Sequence, residues 1–151
     1  MVMEMKKVLL FGLFALLIGG GLSFYFLKDK IKKGENTDIE YSKAQAFQVG
    51  VFSNHDNASR VALRNNGIVV NDGDVYRVYV ALLTDEEVVK KLESYYKEIG
   101  LNYYLKDITV NNKFTESIDA YERLLLKSSS ETYGAINLDI LHKYQESLWV
   151  I

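Results

Sequence analysis

The feature that most constrains the fold is a pattern that occurs twice between residues 46 and 110. Each copy has a strand in which apolar residues alternate with other residues, then an amphipathic helix that starts near a Ser or Thr, then a second strand. The first copy begins with Ala46 to Phe52, and the second begins with "VYRVYVALL" at residues 75–83. A period of two residues predicts a strand with one buried face, and apolar spacings of three and four predict a helix. The pattern therefore predicts a domain of the α+β class.

The order of these elements predicts how the domain is built. A strand–helix–strand unit that occurs twice gives the order βαββαβ, which folds most simply into a four-stranded antiparallel sheet with both helices on one face, the ferredoxin-like arrangement. Asp72-Gly73 lies between two β-branched runs and predicts a hairpin. Thr84 to Glu87 predicts a capping box at the start of the second helix. The other face of the sheet is expected to be open.

An uncharged run near the N-terminus predicts association with a membrane. Residues 8–27, "VLLFGLFALLIGGGLSFYFL", contain no charged side chain, and a helix needs about 20 apolar residues to cross a bilayer. We interpret the run as an uncleaved transmembrane helix, because it is longer than a typical signal-peptide core and no A-x-A-like site follows it. Lysines flank both of its ends, and their number favours a cytoplasmic location for the C-terminal part.

These patterns divide the chain into five segments. Residues 1–7 form a short N-terminal tail, 8–27 the transmembrane helix, 28–45 a polar linker, 46–110 the α+β domain and 111–151 a helical hairpin tail. In the tail, apolar residues recur at helical spacing on both sides of the break "SSSETYG". The hairpin is expected to pack either on the domain or on another copy of itself.

Alternation along the two central strands selects the residues of the open face. In the first strand, Gln48, Gly50 and Phe52 alternate with apolar residues that would face the helices, so these three are expected on the open face. In the third strand, Arg77 and Tyr79 are expected on the open face for the same reason. Because the first and third strands would be neighbours, we expect the Gln48 amide and the Arg77 guanidinium to lie close together. Sugars stack on aromatic rings and form hydrogen bonds with such groups, so this surface suits a flat, neutral polymer. Ordinary solvated positions on an exposed sheet face would give the same pattern.

Residues 46–110 also resemble a SPOR (sporulation-related repeat) domain. The repeats of that family read aromatic-x-Gln-x-Gly-Ser-Phe and Tyr-Arg-Val-x-x-Gly-Pro-Phe, each followed by a helix rich in Glu and Ala. The residues of this chain that match are Gln48, Gly50, Phe52, Tyr76, Arg77 and Val78. The chain departs from the pattern at Val51, where the family usually has Ser, and at Ala81-Leu82-Leu83, which replaces Gly-Pro-Phe.

The resemblance implies binding of peptidoglycan glycan strands stripped of their stem peptides, typically at the division septum or in sporulation. It implies that Gln48 and Arg77 lie on the binding face, and with Gly50, Phe52 and Tyr79 they form the predicted glycan-binding site. Because cell-wall glycan lies outside the membrane, it also implies an extracytoplasmic C-terminal domain, and we adopt this orientation over the lysine count. The expected partners are glycan strands, the bilayer at residues 8–27, and a second copy of the chain or a divisome protein.

Other functions fit the sequence less well. The same sheet topology occurs in RNA-recognition domains, but residues 46–110 contain seven basic and nine acidic residues, so a phosphate backbone would be repelled. The chain has no Cys and two His, His55 and His142, without the spacing of a metal site. We therefore expect no enzymatic activity, no nucleic-acid partner, no metal and no cofactor. The remaining alternative is a membrane-anchored protein-interaction or scaffold module with a SPOR-like fold that binds no glycan.

Overall fold

The computed structural model describes residues 40–148. Within this range the chain forms, in order, β1 Tyr41–Phe52, α1 His55–Arg64, β2 Ile68–Asp72, β3 Val75–Leu83, α2 Glu86–Glu98, β4 Tyr104–Asn111, α3 Asn112–Lys127 and α4 Tyr133–Leu148. A 3₁₀ turn, Ser130–Thr132, lies between α3 and α4. The predicted α+β class is confirmed. The transmembrane helix predicted at residues 8–27 lies outside the described residues, and none of the helices between residues 40 and 148 has the length and apolarity to span a bilayer.

The first strand begins earlier than the sequence pattern indicates. We predicted a linker up to residue 45, but Tyr41 already pairs with Asn111, the last residue of β4. Ala44 and Ala46 are buried in this part of β1, whereas Lys43 and Gln45 beside them are polar. Alanine gives a weak hydrophobic signal, and for this reason the alternation of the strand was not recognised.

The four strands form one antiparallel sheet in the order β2-β3-β1-β4. The predicted positions of β1 and β3 as central neighbours are confirmed. β2 and β3 form the predicted hairpin, in which Asp72 pairs with Val75 and Gly73 takes a φ of 67°. Glycine adopts this left-handed conformation without the steric cost that a Cβ would add.

Two β-bulges change which side chains share a face of the sheet. β3 contains one extra residue, Val80, and β1 contains another, Val49, so that the register between the strands shifts on each side of Gln48. An extra residue moves the alternation of side chains by one position. Gly50 and Phe52 therefore lie on the face opposite to Gln48.

The first two helices pack on the same face of the sheet, as predicted, and we call this the helix face. The ring of Phe47 in β1 lies 5.2 Å from the ring of Tyr96 in α2. Val78 of β3 is buried together with Ala58 and Ala62 of α1. The two helices thus cover different parts of the same surface, α2 over the first half of β1 and α1 over its end.

The expectation that the second face is open is wrong over much of its area. Ala46 and Tyr79, which point away from the helix face, are 0% and 3% exposed. α4 packs along β3, and α3 contacts β1 and β4. The two helices are antiparallel, because the ring of Phe114 at the start of α3 contacts that of Tyr144 near the end of α4. The helical hairpin buries its apolar stripe on this domain rather than leaving it for another copy.

The start of α2 is capped differently from the prediction. Asp85 is the N-cap, and its side chain accepts hydrogen bonds from the backbone N–H groups of Glu87 and Val88. The predicted capping box, with Thr84 as its first residue, is wrong because the Thr84 hydroxyl donates to Glu122 of α3 instead. A tertiary contact has replaced the local one.

Candidate binding surface

A polar contact between the two central strands is confirmed on the second face of the sheet. Nη1 of Arg77 in β3 donates a hydrogen bond to Oε1 of Gln48 in β1, at 3.1 Å. Both side chains are partly exposed. The two residues that the sequence selected first are therefore in direct contact, at the end of the face that α3 and α4 leave accessible.

Charged neighbours fix the orientation of the guanidinium. Nε of Arg77 donates to Oδ2 of Asp72 at 2.5 Å, and Nζ of Lys106 lies 3.7 Å from the same oxygen. The hydrogen bond from Arg77 and its positive charge lower the pKa of Asp72 below its usual value. Asp72 is thus ionised at neutral pH and holds Arg77 beside Gln48.

An exposed aromatic ring completes this surface. Tyr104 of β4 pairs with Gln48 in the sheet and is 66% exposed. Residues that pair directly in a sheet have side chains on the same face, so the phenol lies next to the amide. We call the surface formed by Gln48, Asp72, Arg77, Tyr104 and Lys106 the Gln48 strip. It combines a ring for stacking with amide, guanidinium and ammonium donors.

Tyr79, which we predicted as a glycan-binding residue, is not available to a ligand. Its side chain lies on the predicted face but is only 3% exposed, inside the core that α4 forms with the sheet. Burial, with a smaller effect from Tyr144, raises the pKa of its phenol to about 12. The prediction is corrected because the helical tail covers this position.

Gly50 and Phe52, two further predicted site residues, face the other way. Phe52 packs with Val61 and the buried alanines of α1. A Cβ on Gly50 would lie 2.5 Å from Cε2 of Phe52, so the ring occupies the space that a larger residue would need. The β-bulge at Val49 is the reason for both corrections, since regular alternation would have placed these residues beside Gln48.

The turn after β1 forms a helix start. Asn54 is the N-cap of α1, and its side chain accepts a hydrogen bond from the N–H of Asp56 at 2.8 Å. The exposed ring of His55 has its Nδ1 3.4 Å from the Ser59 hydroxyl and 3.9 Å from the Asp56 carboxylate. In the part of the chain that the structure describes, no three His, Cys, Asp or Glu side chains are grouped so as to hold a metal ion.

Sequence reasoning missed three members of the Gln48 strip, namely Asp72, Tyr104 and Lys106. Asp72 was assigned only to a turn, and the residues of β4 were not assigned to a face. The signal was present, since Tyr104 and Lys106 are two residues apart in a strand and therefore share a face. Only the register between β1 and β4 shows that this face is also that of Gln48.

Comparisons with known proteins give no assignment for this chain. No protein-family model matches it, and no match was found among curated proteins or among solved structures.

Proposed function

We propose that this chain is a SPOR-like module that binds peptidoglycan glycan strands through the Gln48 strip. In this proposal residues 8–27 anchor the chain in the cell membrane, and the α+β domain lies on the extracytoplasmic side, at the septum in division or in sporulation. The observation that carries the proposal is the hydrogen-bonded pair of Gln48 and Arg77 beside the exposed ring of Tyr104. The module binds without catalysing a reaction.

The chemistry of the strip suits a sugar polymer. Tyr104 offers an exposed ring on which the apolar face of a pyranose can stack. The Gln48 amide retains its Nε2 donors, and Arg77 retains N–H groups beyond those that bind Asp72 and Gln48. A surface strip of this kind can follow an extended strand, whereas a deep pocket would select a single small molecule.

The arrangement of the elements also supports the SPOR-like interpretation. The order βαββαβ and the strand order β2-β3-β1-β4 agree with the fold that the resemblance implies. Two features differ from the simple expectation, namely the cover of α3 and α4 on the second face and Val51 in place of Ser. The cover of the two helices limits the proposed site to the end of the sheet near Gln48. Val51 is exposed at this end, on the same face as Gln48.

The position of the strip along β1 is compatible with a tethered receptor. The described chain enters the sheet at Tyr41, and Gln48 follows seven residues later. At about 3.3 Å per residue the two positions lie about 23 Å apart. Glycan that binds the strip would therefore contact the domain far from the point where the chain enters it.

Cosedimentation with cell-wall sacculi tests the proposal. We expect the full chain, in detergent micelles, to sediment with sacculi whose stem peptides were removed by an amidase, and to sediment less with untreated sacculi. The double variant Gln48→Ala plus Arg77→Ala should lose this binding, whereas Arg123→Ala on the exposed side of α3 should keep it. If the unmodified chain stays in the supernatant with amidase-treated sacculi, the glycan proposal is wrong. Protease accessibility on intact protoplasts tests the orientation, and complete protection of the domain would contradict it.

A second candidate function is a membrane-anchored protein-interaction module that binds no glycan. It is favoured by the cover of α3 and α4, which buries the part of the second face around Ala46 and Tyr79. Cosedimentation with sacculi distinguishes the two candidates. A protein-interaction module would stay in the supernatant with amidase-treated and with untreated sacculi.

A further inference from the structure

The end of β1 has an unpaired edge on the side of β4. The pairing between β1 and β4 ends at Gln48 and Tyr104, whereas β1 continues to Phe52. Residues 50–52 therefore pair with β3 alone, Val49 is the extra residue of the bulge, and within residues 40–148 no strand lies along the other edge of this segment. Free N–H and C=O groups on a strand edge can pair with an added strand, as in peptide recognition by β-augmentation.

A groove of about 260 Å³ lies between α1 and Phe52, the last residue of β1, on the helix face. Its apolar part is formed by Phe52 and Val61, both partly buried. Arg60 and Arg64, one helical turn apart on α1, and Asn57 complete its lining.

The groove is positive although the domain is acidic. Residues 40–148 contain 12 basic and 16 acidic side chains. Among these residues the ion pairs involve neither Arg60 nor Arg64. Arg60 donates only to the neutral side chain of Asn57. Since neither arginine has a carboxylate partner among the described residues, the groove is complementary in charge to a ligand that carries carboxylates.

We propose that residues 49–52 and this groove, together the α1 groove, bind an extended acidic peptide segment of another protein. The peptide adds a strand to β1, inserts an apolar side chain against Phe52 and Val61, and places a carboxylate between Arg60 and Arg64. The groove is separate from the Gln48 strip, because the bulge at Val49 puts Phe52 and Gln48 on opposite faces of the sheet, and only Val51 of this segment faces the strip. A domain with both sites would connect a protein partner to the glycan that, under the proposed function, binds the Gln48 strip.

Fluorescence anisotropy with labelled peptides tests this inference on the full chain in detergent micelles. The probe is the peptide Gly-Val-Thr-Glu-Thr-Glu-Gly, in which the Val and both Glu side chains share one face of a strand and can enter the groove together. One control peptide has Lys in place of each Glu, and a second has Pro in place of the central Glu, which removes a backbone N–H needed for strand pairing. We expect saturable binding of the Glu–Val peptide, and binding at least tenfold weaker for both controls.

Variants locate the binding. Arg60→Ala plus Arg64→Ala should weaken binding of the Glu–Val peptide at least tenfold, while Arg123→Ala, an exposed arginine on α3, should leave it unchanged. Backbone amides within residues 49–52 should gain protection from hydrogen exchange when the peptide binds. Gln48→Ala plus Arg77→Ala should not alter peptide binding, so this inference and the glycan proposal fail independently.

Three results would overturn the inference. The first is no saturation up to about 1 mM peptide, which corresponds to a negligible affinity. The second is binding of the Lys or Pro peptide with the same affinity as the Glu–Val peptide. Binding of the Glu–Val peptide by the double arginine variant with the affinity of the unmodified chain would count equally. The third concerns a dimer of the chain. If the Arg60 and Arg64 substitutions dissociate such a dimer and the peptide does not, a second copy of the chain occupies the groove.

Discussion

The carboxylate of Glu122 in α3 accepts hydrogen bonds from both the backbone N–H and the hydroxyl of Thr84, at 2.5 and 2.9 Å. It also accepts the N–H of Asp85 at 3.0 Å and is itself buried. In return, Nζ of Lys91 in α2 donates to the carbonyls of Leu125 and Leu126 at the end of α3. A negative charge therefore lies at the N-terminus of α2 and a positive charge at the C-terminus of α3, as the helix dipoles favour. The helical tail is attached to the domain by specific contacts as well as by apolar packing.

Glu122→Gln should destabilise the domain by about 1 to 2 kcal/mol, because neutral hydrogen bonds replace charge-assisted ones and the amide nitrogen cannot accept the proton of the Thr84 hydroxyl. Urea unfolding of the full chain in detergent micelles, followed by circular dichroism, measures the change. Glu116→Gln, an exposed glutamate of the same helix, should shift the midpoint little. Equal midpoints for the two variants would contradict the assigned role of Glu122.

Tyr104→Ala should reduce retention on amidase-treated sacculi about tenfold, because the ring supplies the stacking surface of the Gln48 strip. Tyr41→Ala is a matched control, since Tyr41 is also on a strand and is 63% exposed, but lies at the other end of β1. Cosedimentation of both variants measures the effect. A similar loss for Tyr41→Ala would show that retention does not depend on the strip.

Gly50→Ala should cost about 1 to 2 kcal/mol of stability, because the new methyl group would displace the ring of Phe52 from α1. The cost should fall below half of this value when Phe52 is already replaced by Ala, since the space is then free. A double-mutant cycle from urea unfolding gives the coupling between the two positions. If the changes in unfolding free energy of Gly50→Ala and Phe52→Ala were additive, the ring of Phe52 would not be what the new methyl group displaces.

The stability of the domain should fall as the pH rises from about 10 to about 12. The pKa of Tyr79 is raised to about 12 by burial, whereas an unfolded tyrosine titrates near pH 10. The folded state therefore retains the proton longer, so the stabilisation is complete below pH 10 and is lost as the pH approaches 12. Its size is on the order of 2 kcal/mol.

Tyr79→Phe tests the alkaline prediction, because phenylalanine cannot ionise. Urea unfolding at pH 9 and pH 11.5 should show a smaller loss of stability for this variant than for the unmodified chain. The chain has 11 tyrosines, so the difference in absorbance at 295 nm between the unmodified chain and the variant isolates the ionisation of Tyr79. A normal titration of this difference near pH 10 would contradict the burial of Tyr79.

Much of the sheet could be predicted from the sequence. The strands around Val49 and Val78, the Asp72-Gly73 turn and the helix beginning after Asp85 have strong local signals, and two repeats restrict the topology to few arrangements. The contact between Gln48 and Arg77 followed from the same reasoning, because it depends only on β1 and β3 being neighbours.

The rest of the site depended on features without a local signal. Val49 and Val80 look like ordinary strand residues, and nothing in their chemistry indicates that each is an extra residue in its strand. The burial of Tyr79 depends on where the helical tail packs, which is a long-range choice between the domain and another copy. In β1, faces were therefore assigned correctly up to Gln48 and incorrectly beyond it, whereas Arg77 and Tyr79 of β3 lie on the predicted face.

The extra residue at Val49 also has a consequence for how this strand tolerates change over evolution. Most single substitutions there would keep both neighbours in place, but loss of one residue would rotate the last three positions of β1 by half a turn. The aromatic ring would then leave the core for the solvated surface, and a valine would take its side. A change of length at this point should therefore disturb the fold more than a change of chemical identity.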